Sequence, residues 1–138
     1  MQNFMYQAAP MRVIFGSGTL RELPAELARL GIARALILAT PHQARQAEEV
    51  AVMVGQRAAG IFAQAEMHTP IQVTERALTR VNELDVDGVV AIGGGSTTGI
   101  GKAIARRTDL PQIVVPTSYA GSEMTPILGE TQDGLKTT

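Results

Sequence analysis

Four short runs, residues 35–39, 60–63, 88–92 and 112–115, are apolar almost from end to end. Their starts recur at about 25 residues, the length of one strand plus one crossover helix. Strands that face water on one side alternate polar and apolar residues. These do not, and a near-continuous apolar strand reads as one covered on both faces. The repeat therefore predicts an α/β fold: a Rossmann-like, mostly parallel sheet with helices on both faces.

The segments between the runs carry the matching helical signals. Thr40 and Pro41 read as an N-cap and first helical position, and Thr69 and Pro70 repeat the device. Beyond Pro70, Val73, Ala77, Leu78 and Val81 fall at helical spacing, with Glu75, Arg76, Arg80 and Glu83 on the other faces. After Ser96, a narrower stripe is formed by Ile100, Ala103 and Ile104. Residues 19–30 predict an earlier helix, interrupted or restarted near Pro24, with Gly31 as its stop. Residues 11–15 read as a strand cut off by Gly16, Ser17 and Gly18. Residues 130–138 read as a hairpin turning at Asp133 and Gly134. A hairpin ending the sequence suggests a piece of a longer protein.

Composition narrows the function classes. At 138 residues the chain is one domain, residues 1–138, large enough to bury a core without disulfides or a structural metal. Twelve Lys and Arg against 13 Asp and Glu leave a net charge of −1, which argues against nucleic acid or an anionic membrane as a partner. The absence of cysteine removes thiolate metal sites and a Cys nucleophile. Neither a run of 18 apolar residues nor a signal-peptide pattern is present. The expectation is a cytoplasmic protein.

The sharpest local feature is Gly93, Gly94, Gly95, Ser96, Thr97, Thr98 and Gly99, followed by Lys102, where the third run ends and a helix begins. Glycines let the backbone approach a ligand closely, and a helix start presents unpaired N–H groups and the positive end of its dipole. Ser96, Thr97 and Thr98 add hydroxyls. The turn reads as a phosphate or pyrophosphate cradle at the carboxyl end of a strand. The alternative is a tight strand-to-helix turn with no ligand. Two familiar patterns fail: G-x-G-x-x-G from Gly93 meets Thr98 at its last position, and a P-loop ending at Lys102 meets Ser96 and Ala103. A second loop follows the fourth run. Thr117, Ser118, Tyr119, Ser122, Glu123 and Thr125 surround Gly121 and read as the other wall of a cleft. Other candidates have blander readings. His42 is expected at the solvated surface, Met53, Met67 and Met124 as core or cleft fillers, and Arg106 and Arg107 as complements to a helix dipole.

Taken together, Gly-Gly-Gly-Ser at 93–96 with Lys102, and Pro-Thr-Ser-x-x-Gly-Ser-Glu at 116–123, resemble the N-terminal domain of the iron-containing alcohol dehydrogenase superfamily. Residues 116–138, 93–99 and 67–70 are closer to its maleylacetate reductase branch, and the resemblance begins at Phe15. It implies an NAD(P)-binding N-terminal domain whose C-terminal all-helical domain is absent from this chain. It implies NADH or NADPH as cofactor, reduction of the carbon–carbon double bond of maleylacetate to 3-oxoadipate, and a homodimer. By the same resemblance Gly94, Gly95 and Ser96 would hold the pyrophosphate, supported by Gly93 and Thr97. Thr117, Ser118 and Ser122 would line the nicotinamide ribose and carboxamide, while Lys136 and His68 would lie near the cofactor. Gly99 stands where the wider superfamily has Asp, which favours this branch over the alcohol dehydrogenases. Thr40 stands where many NAD-preferring relatives have Asp, so both cofactors are expected to be accepted. The superfamily's metal ligands lie in the helical domain, and no metal is expected here. The groups that carry catalysis are expected mainly in that same domain. A metal-dependent alcohol or polyol dehydrogenase and a stand-alone nucleotide-binding module are the alternatives.

Overall fold

A computed structural model describes residues 2–138. Four parallel strands, β1 (Ala35–Leu38), β2 (Ala58–Phe62), β3 (Gly88–Gly93) and β4 (Gln112–Pro116), lie in the order β2-β1-β3-β4. The helices are α1 (Leu23–Arg29), α2 (Ala44–Val54), α3 (Ile71–Glu83) and α4 (Gly95–Thr108). A separate antiparallel hairpin joins β5 (Glu130–Gln132) to β6 (Leu135–Thr137). Asp133 and Gly134 both take positive φ, 51° and 77°, as a two-residue hairpin turn of that hand requires.

The period-two geometry of a strand explains the continuous apolar runs. On β1, Leu36 and Leu38 pack with Val89, Ala91, Val73, Ala77, Ile100 and Ile104 on the α3/α4 side. Ala35 and Ile37 point the other way, to Leu23, Leu27, Ala47, Val50, Val90 and Ile92 on the α1/α2 side. Both faces are dry, so both sets must be apolar. Full burial is confined to the central pair β1 and β3. Strands β2 and β4 are the sheet's edges and are half-buried except for Phe62, which corrects the expectation of four equally covered strands.

Helix ends follow from local chemistry. After α1, Gly31 takes φ 72°, its N–H donates to Ala28 O and the Ile32 N–H donates to Leu27 O, a Schellman stop at the expected glycine. Asp85 does the same for α3 at φ 48°, with Val86 N–H on Val81 O. The helix expected from residue 19 is a 3-10 turn, Thr19–Glu22, running into α1. Thr40 and Pro41 open a 3-10 turn, Pro41–Gln43, and α2 starts only at Ala44. Thr69 is no N-cap either. It sits at φ 45°, and Pro70 takes the cap position before Ile71.

One expectation fails outright. Residues 11–15 form no strand. No neighbouring strand pairs with them, and Met11, Val13 and Phe15 are exposed. Met67 and Met124 are exposed and not core, whereas Met53, though exposed, lines the depression beside Ile92, Val115 and Thr117, a cleft position.

The two ends of the sheet differ. At the amino edge, the Asp87 carboxylate accepts the Ala33 and Arg34 N–H groups at 2.8–3.1 Å, and the Arg57 guanidinium donates to Ile32 O at 2.6 Å. Ile32 packs so closely on Gly88 that a Cβ there would lie 2.5 Å from it. At the carboxyl edge the chain segments that follow β1, β3 and β4 meet. The crossover after β1 leaves to β2 on one side and the crossover after β3 leaves to β4 on the other, so a switch point opens between β1 and β3, where open α/β sheets bind ligands.

Candidate functional site: the carboxyl edge of the sheet

Gly93 ends β3 at φ 148°, and α4 begins two residues later at Gly95. The first intrahelical bond of α4 is Thr98 N–H to Gly94 O at 3.1 Å. The Gly95, Ser96 and Thr97 amides precede it, pointing with the helix dipole out of the sheet edge. The three glycines have different reasons to be glycine. A Cβ at Gly93 would sit 2.5 Å from Thr97 Oγ1 and 2.6 Å from Gln43 Oε1, and one at Gly94 would sit 2.9 Å from Ser118 Oγ. A Cβ at Gly95 would meet nothing within 4 Å. Gly93 is thus required by packing, Gly94 faces only the turnable hydroxyl of Ser118, and Gly95 lies exposed at the helix start, bare to whatever occupies the crevice.

The hydroxyls sort differently from the sequence expectation. Ser96 is half-buried at the helix start. Thr98 is buried and donates back to Gly94 O at 3.0 Å, so it has no free hydroxyl proton. Thr97 is fully buried behind Gly93, and its Oγ1 has no protein partner. Its place is under the turn, supporting it from below.

The second wall stands where expected. Thr117 N–H donates to Gly93 O at 2.9 Å, carrying the chain from the end of β4 across the end of β3. Ser118 then reaches Gly94. Ser122 is less free: its Oγ accepts from Lys102 Nζ at 3.1 Å. Lys102 also donates to Ile127 O at 2.9 Å and Thr125 Oγ1 at 3.4 Å, pinning the 122–127 stretch to α4. Burial pushes the Lys102 amine below its ordinary pKa, and the nearby Glu123 carboxylate partly offsets this. Lys102 thus holds the wall in place.

His68 and Lys136 are not drawn into the turn. His68 is exposed, six residues beyond the end of β2, in the left-handed conformation at φ 64°. The adjoining Thr69 is buried and touches α4, since a Cβ at Gly99 would lie 2.4 Å from Thr69 Oγ1. Thr69 O also accepts the Thr131 N–H at 3.2 Å, anchoring the β5–β6 hairpin. Lys136, on β6, lays its Cε over Gly129. The same open end of the hairpin is held by the Arg107–Glu130 ion pair at 2.8 Å, so Arg107 has a partner besides the helix carbonyl Ala103 O. Tyr119 and His42 are exposed.

One residue was missed by sequence reasoning. Gln43 closes the 3-10 turn after β1, and its side chain lies over Gly93. Its Oε1 accepts from Thr40 Oγ1 at 3.1 Å, and its Nε2 donates to Thr117 Oγ1 at 3.0 Å. It therefore ties the end of β1 to the end of β4 across the intervening end of β3. The only sequence cue is the combination of a Pro-led turn and a glycine that leaves room for an amide.

The arrangement fits a dinucleotide. Free helix-start amides and the bare Gly95 suit a pyrophosphate, and hydroxyls stand to either side of it. A depression of about 250 Å³ opens beside Thr117, lined by Val50, Ile92 and Val115. A separate cavity of about 550 Å³ is lined by Lys102, Arg106, Gln112 and Ile127 and contains none of the turn residues. Among the described residues no three of His, Asp and Glu gather, so a metal has no ligand set here. Among the described residues no helix is long and apolar enough to cross a membrane.

Residues 10–138 match the family described as iron-containing alcohol dehydrogenase. The chain is 56% identical over its full length to a maleylacetate reductase of Rhizobium sp. strain MTP-10005 and 53% identical over 135 residues to one of Sphingobium indicum. A crystal structure of maleylacetate reductase from Agrobacterium tumefaciens superposes on 99% of the chain with a TM-score of 0.94 at 54% identity. The chain spans only 38–39% of the length of these relatives.

Proposed function

The chain belongs to the iron-containing alcohol dehydrogenase family, and from that premise we propose that it is the nucleotide-binding part of an NAD(P)H-dependent maleylacetate reductase. The observation that carries the reading is Gly95: an exposed glycine without packing neighbours, at the free amino end of α4, in the crevice at the switch point. The relatives' names supply the substrate. Their greater length leaves room for a further domain, which we take to be the C-terminal helical one, closing over the crevice and supplying most groups that touch the substrate. We place the protein in the cytoplasm, working as a homodimer.

When bound, a reduced nicotinamide supplies the hydride that adds to one carbon of the maleylacetate double bond, a proton completing 3-oxoadipate at the other. The chain's own residues bind and orient. Gly94, Gly95 and Ser96 receive the pyrophosphate on the helix-start amides, with Gly93 and Thr97 shaping the turn beneath. Ser118 and Thr117 face the ribose and carboxamide from the opposite wall, and Lys102 fixes that wall through Ser122. Thr40 stands at the end of β1 for the adenosine ribose. Lys136 and His68 reach the cofactor only from the crevice's outer margin. Holding the nicotinamide at one distance and angle is the contribution to rate.

The reading takes the reduction to need no metal, as the likeness to the maleylacetate reductases implies. Turnover of the complete protein should survive chelation. Activity restored by iron or zinc after chelation would instead support a metal-dependent alcohol or polyol dehydrogenase.

A fluorescence titration with NADH tests the cofactor site, beside Gly95→Asp. Asp in the first turn complements the helix dipole, so the variant should fold as well as the parent. It should nevertheless lose binding, because a carboxylate would occupy and repel the pyrophosphate. The isolated chain should bind weakly and turn over little, and the complete protein should bind tightly. Equal binding by parent and variant, or no binding by the complete protein, would overturn the reading.

A further inference from the structure

We infer that Gln43 is a specificity-determining positioning residue. It fixes the hydroxyls of Thr40 and Thr117 in opposite polarity, so that Thr40 presents a hydrogen-bond acceptor and Thr117 a donor to the bound dinucleotide. The inference rests on the cofactor site proposed above and goes beyond it in assigning the direction of each bond.

A primary amide has two unlike ends, and Gln43 uses each on a different threonine. Oε1 has only lone pairs, so the Thr40 hydroxyl must spend its single proton on it. What Thr40 then offers outward is a lone pair. Nε2 has only protons, so Thr117 Oγ1 receives one and keeps its own proton free to donate. The Gly93 backbone supports this orientation of the amide. A Cβ there would point at Oε1, at 2.6 Å, so the Gly93 hydrogen in that direction faces the oxygen, an acceptor, and not the NH₂ group. The Thr117 backbone is held at the end of the sheet by its own N–H on Gly93 O.

Each polarity selects a chemistry. Thr117 stands beside the helix start and the Ser118 wall, where phosphate or carboxamide oxygens accept. A free proton there suits them. Thr40 lies one strand over, at the end of β1, where the ribose of the adenosine half would lie. A ribose 2′-hydroxyl can donate to a lone pair. A 2′-phosphate at neutral pH has almost only lone pairs, and would have to turn the Thr40 proton outward and leave Gln43 Oε1 unpaired. NADPH can still enter, because no carboxylate stands at Thr40 to repel it. It enters at the cost of one hydrogen bond.

The experiment measures dissociation constants of NADH and NADPH for the complete protein, the two Gln43 variants, Thr40→Val and the double variant Gln43→Ala/Thr40→Val. The parent should bind NADH more tightly than NADPH. In Gln43→Ala the Thr40 proton is free for a phosphate, so the NADPH-to-NADH ratio of dissociation constants should fall by roughly two- to tenfold, the worth of one neutral hydrogen bond. Thr40→Val should lower the ratio likewise, and adding Gln43→Ala to it should lower it no further, since with Val at position 40 there is no hydroxyl for Gln43 to orient. Gln43→Glu keeps an acceptor against Thr40 and adds a negative charge, so its ratio should rise and should shrink again in high salt. If Gln43→Ala weakened both cofactors by the same factor, Gln43 would be only a strut and the polarity assignment would fall while the site stood. If the parent bound neither cofactor, both readings would fall together.

Discussion

Gly93 and Gly95 are two residues apart and are glycine for opposite reasons. Gly93 has a positive φ of 148° and no room for a Cβ between Thr97 and Gln43. Gly93→Ala should therefore lower folding stability by about 2–4 kcal/mol, combining backbone strain and overpacking. In urea unfolding the midpoint should fall with the slope unchanged. A midpoint within experimental error of the parent would show that the turn has space the geometry denies. Gly95→Asp should leave that midpoint where it is. The sequence displayed a run of three glycines and could not distinguish them, because the difference lies in side chains brought from residues 43, 97 and 118. For the same reason the hydroxyl-rich stretch was legible as polar but not as sorted. Ser96 sits at the helix start, Thr97 is sealed beneath the turn, and Thr98 is spent on its own helix.

At the scale of elements, strands β1 and β3 were readable because burial on both faces leaves its mark on every residue. The edges β2 and β4 carry similar apolar runs with only partial cover, and nothing local to a run states how many neighbours it has. Helix α4 and the loop after β4 form a unit through Lys102, whose three hydrogen bonds span residues 122–127. Lys102→Met keeps the stem's bulk and removes those bonds. Amide hydrogen exchange at residues 121–127 should speed up by about tenfold, while global stability changes by less than about 1 kcal/mol. The small global effect follows from the amine's own burial, which already opposes its charge. Unchanged exchange in the loop would show that it is held by its backbone alone. The 3-10 turn at Pro41–Gln43 was hidden, since Thr-Pro also begins ordinary helices. Here the Thr40 hydroxyl is directed to Gln43 and not to a helix amide.

For the whole molecule, one surface cluster ties the amino-terminal segment to the body. Arg12 donates to both oxygens of Glu26 at 2.9 and 3.0 Å, and Arg29 adds a third bond at 2.8 Å. Arg12 foremost, then Arg29, holds the Glu26 carboxyl at about 2, below its ordinary 4.5. A lowered acid pKa stabilises the fold above the ordinary value and loses that stabilisation as pH falls through the folded one. The melting temperature of Glu26→Gln should therefore trail the parent at pH 7, and the gap should close as pH drops from about 4.5 toward 2. A gap that stayed constant across that range would place the effect outside the charge cluster.

By itself the sequence determined the α/β class, the strand order of appearance, the glycine turn at the end of β3 and the family likeness. All of these are written in local periodicity or in contiguous motifs. The tertiary structure alone decided which strands lie at the edges and that residues 11–15 pair with nothing. It also decided that His68 and Lys136 stand apart from the glycine turn, while Gln43 spans the end of the sheet. Those facts depend on contacts between segments tens of residues apart, such as Gln43 with Thr117, and the register that brings such segments together is a property of the packed sheet.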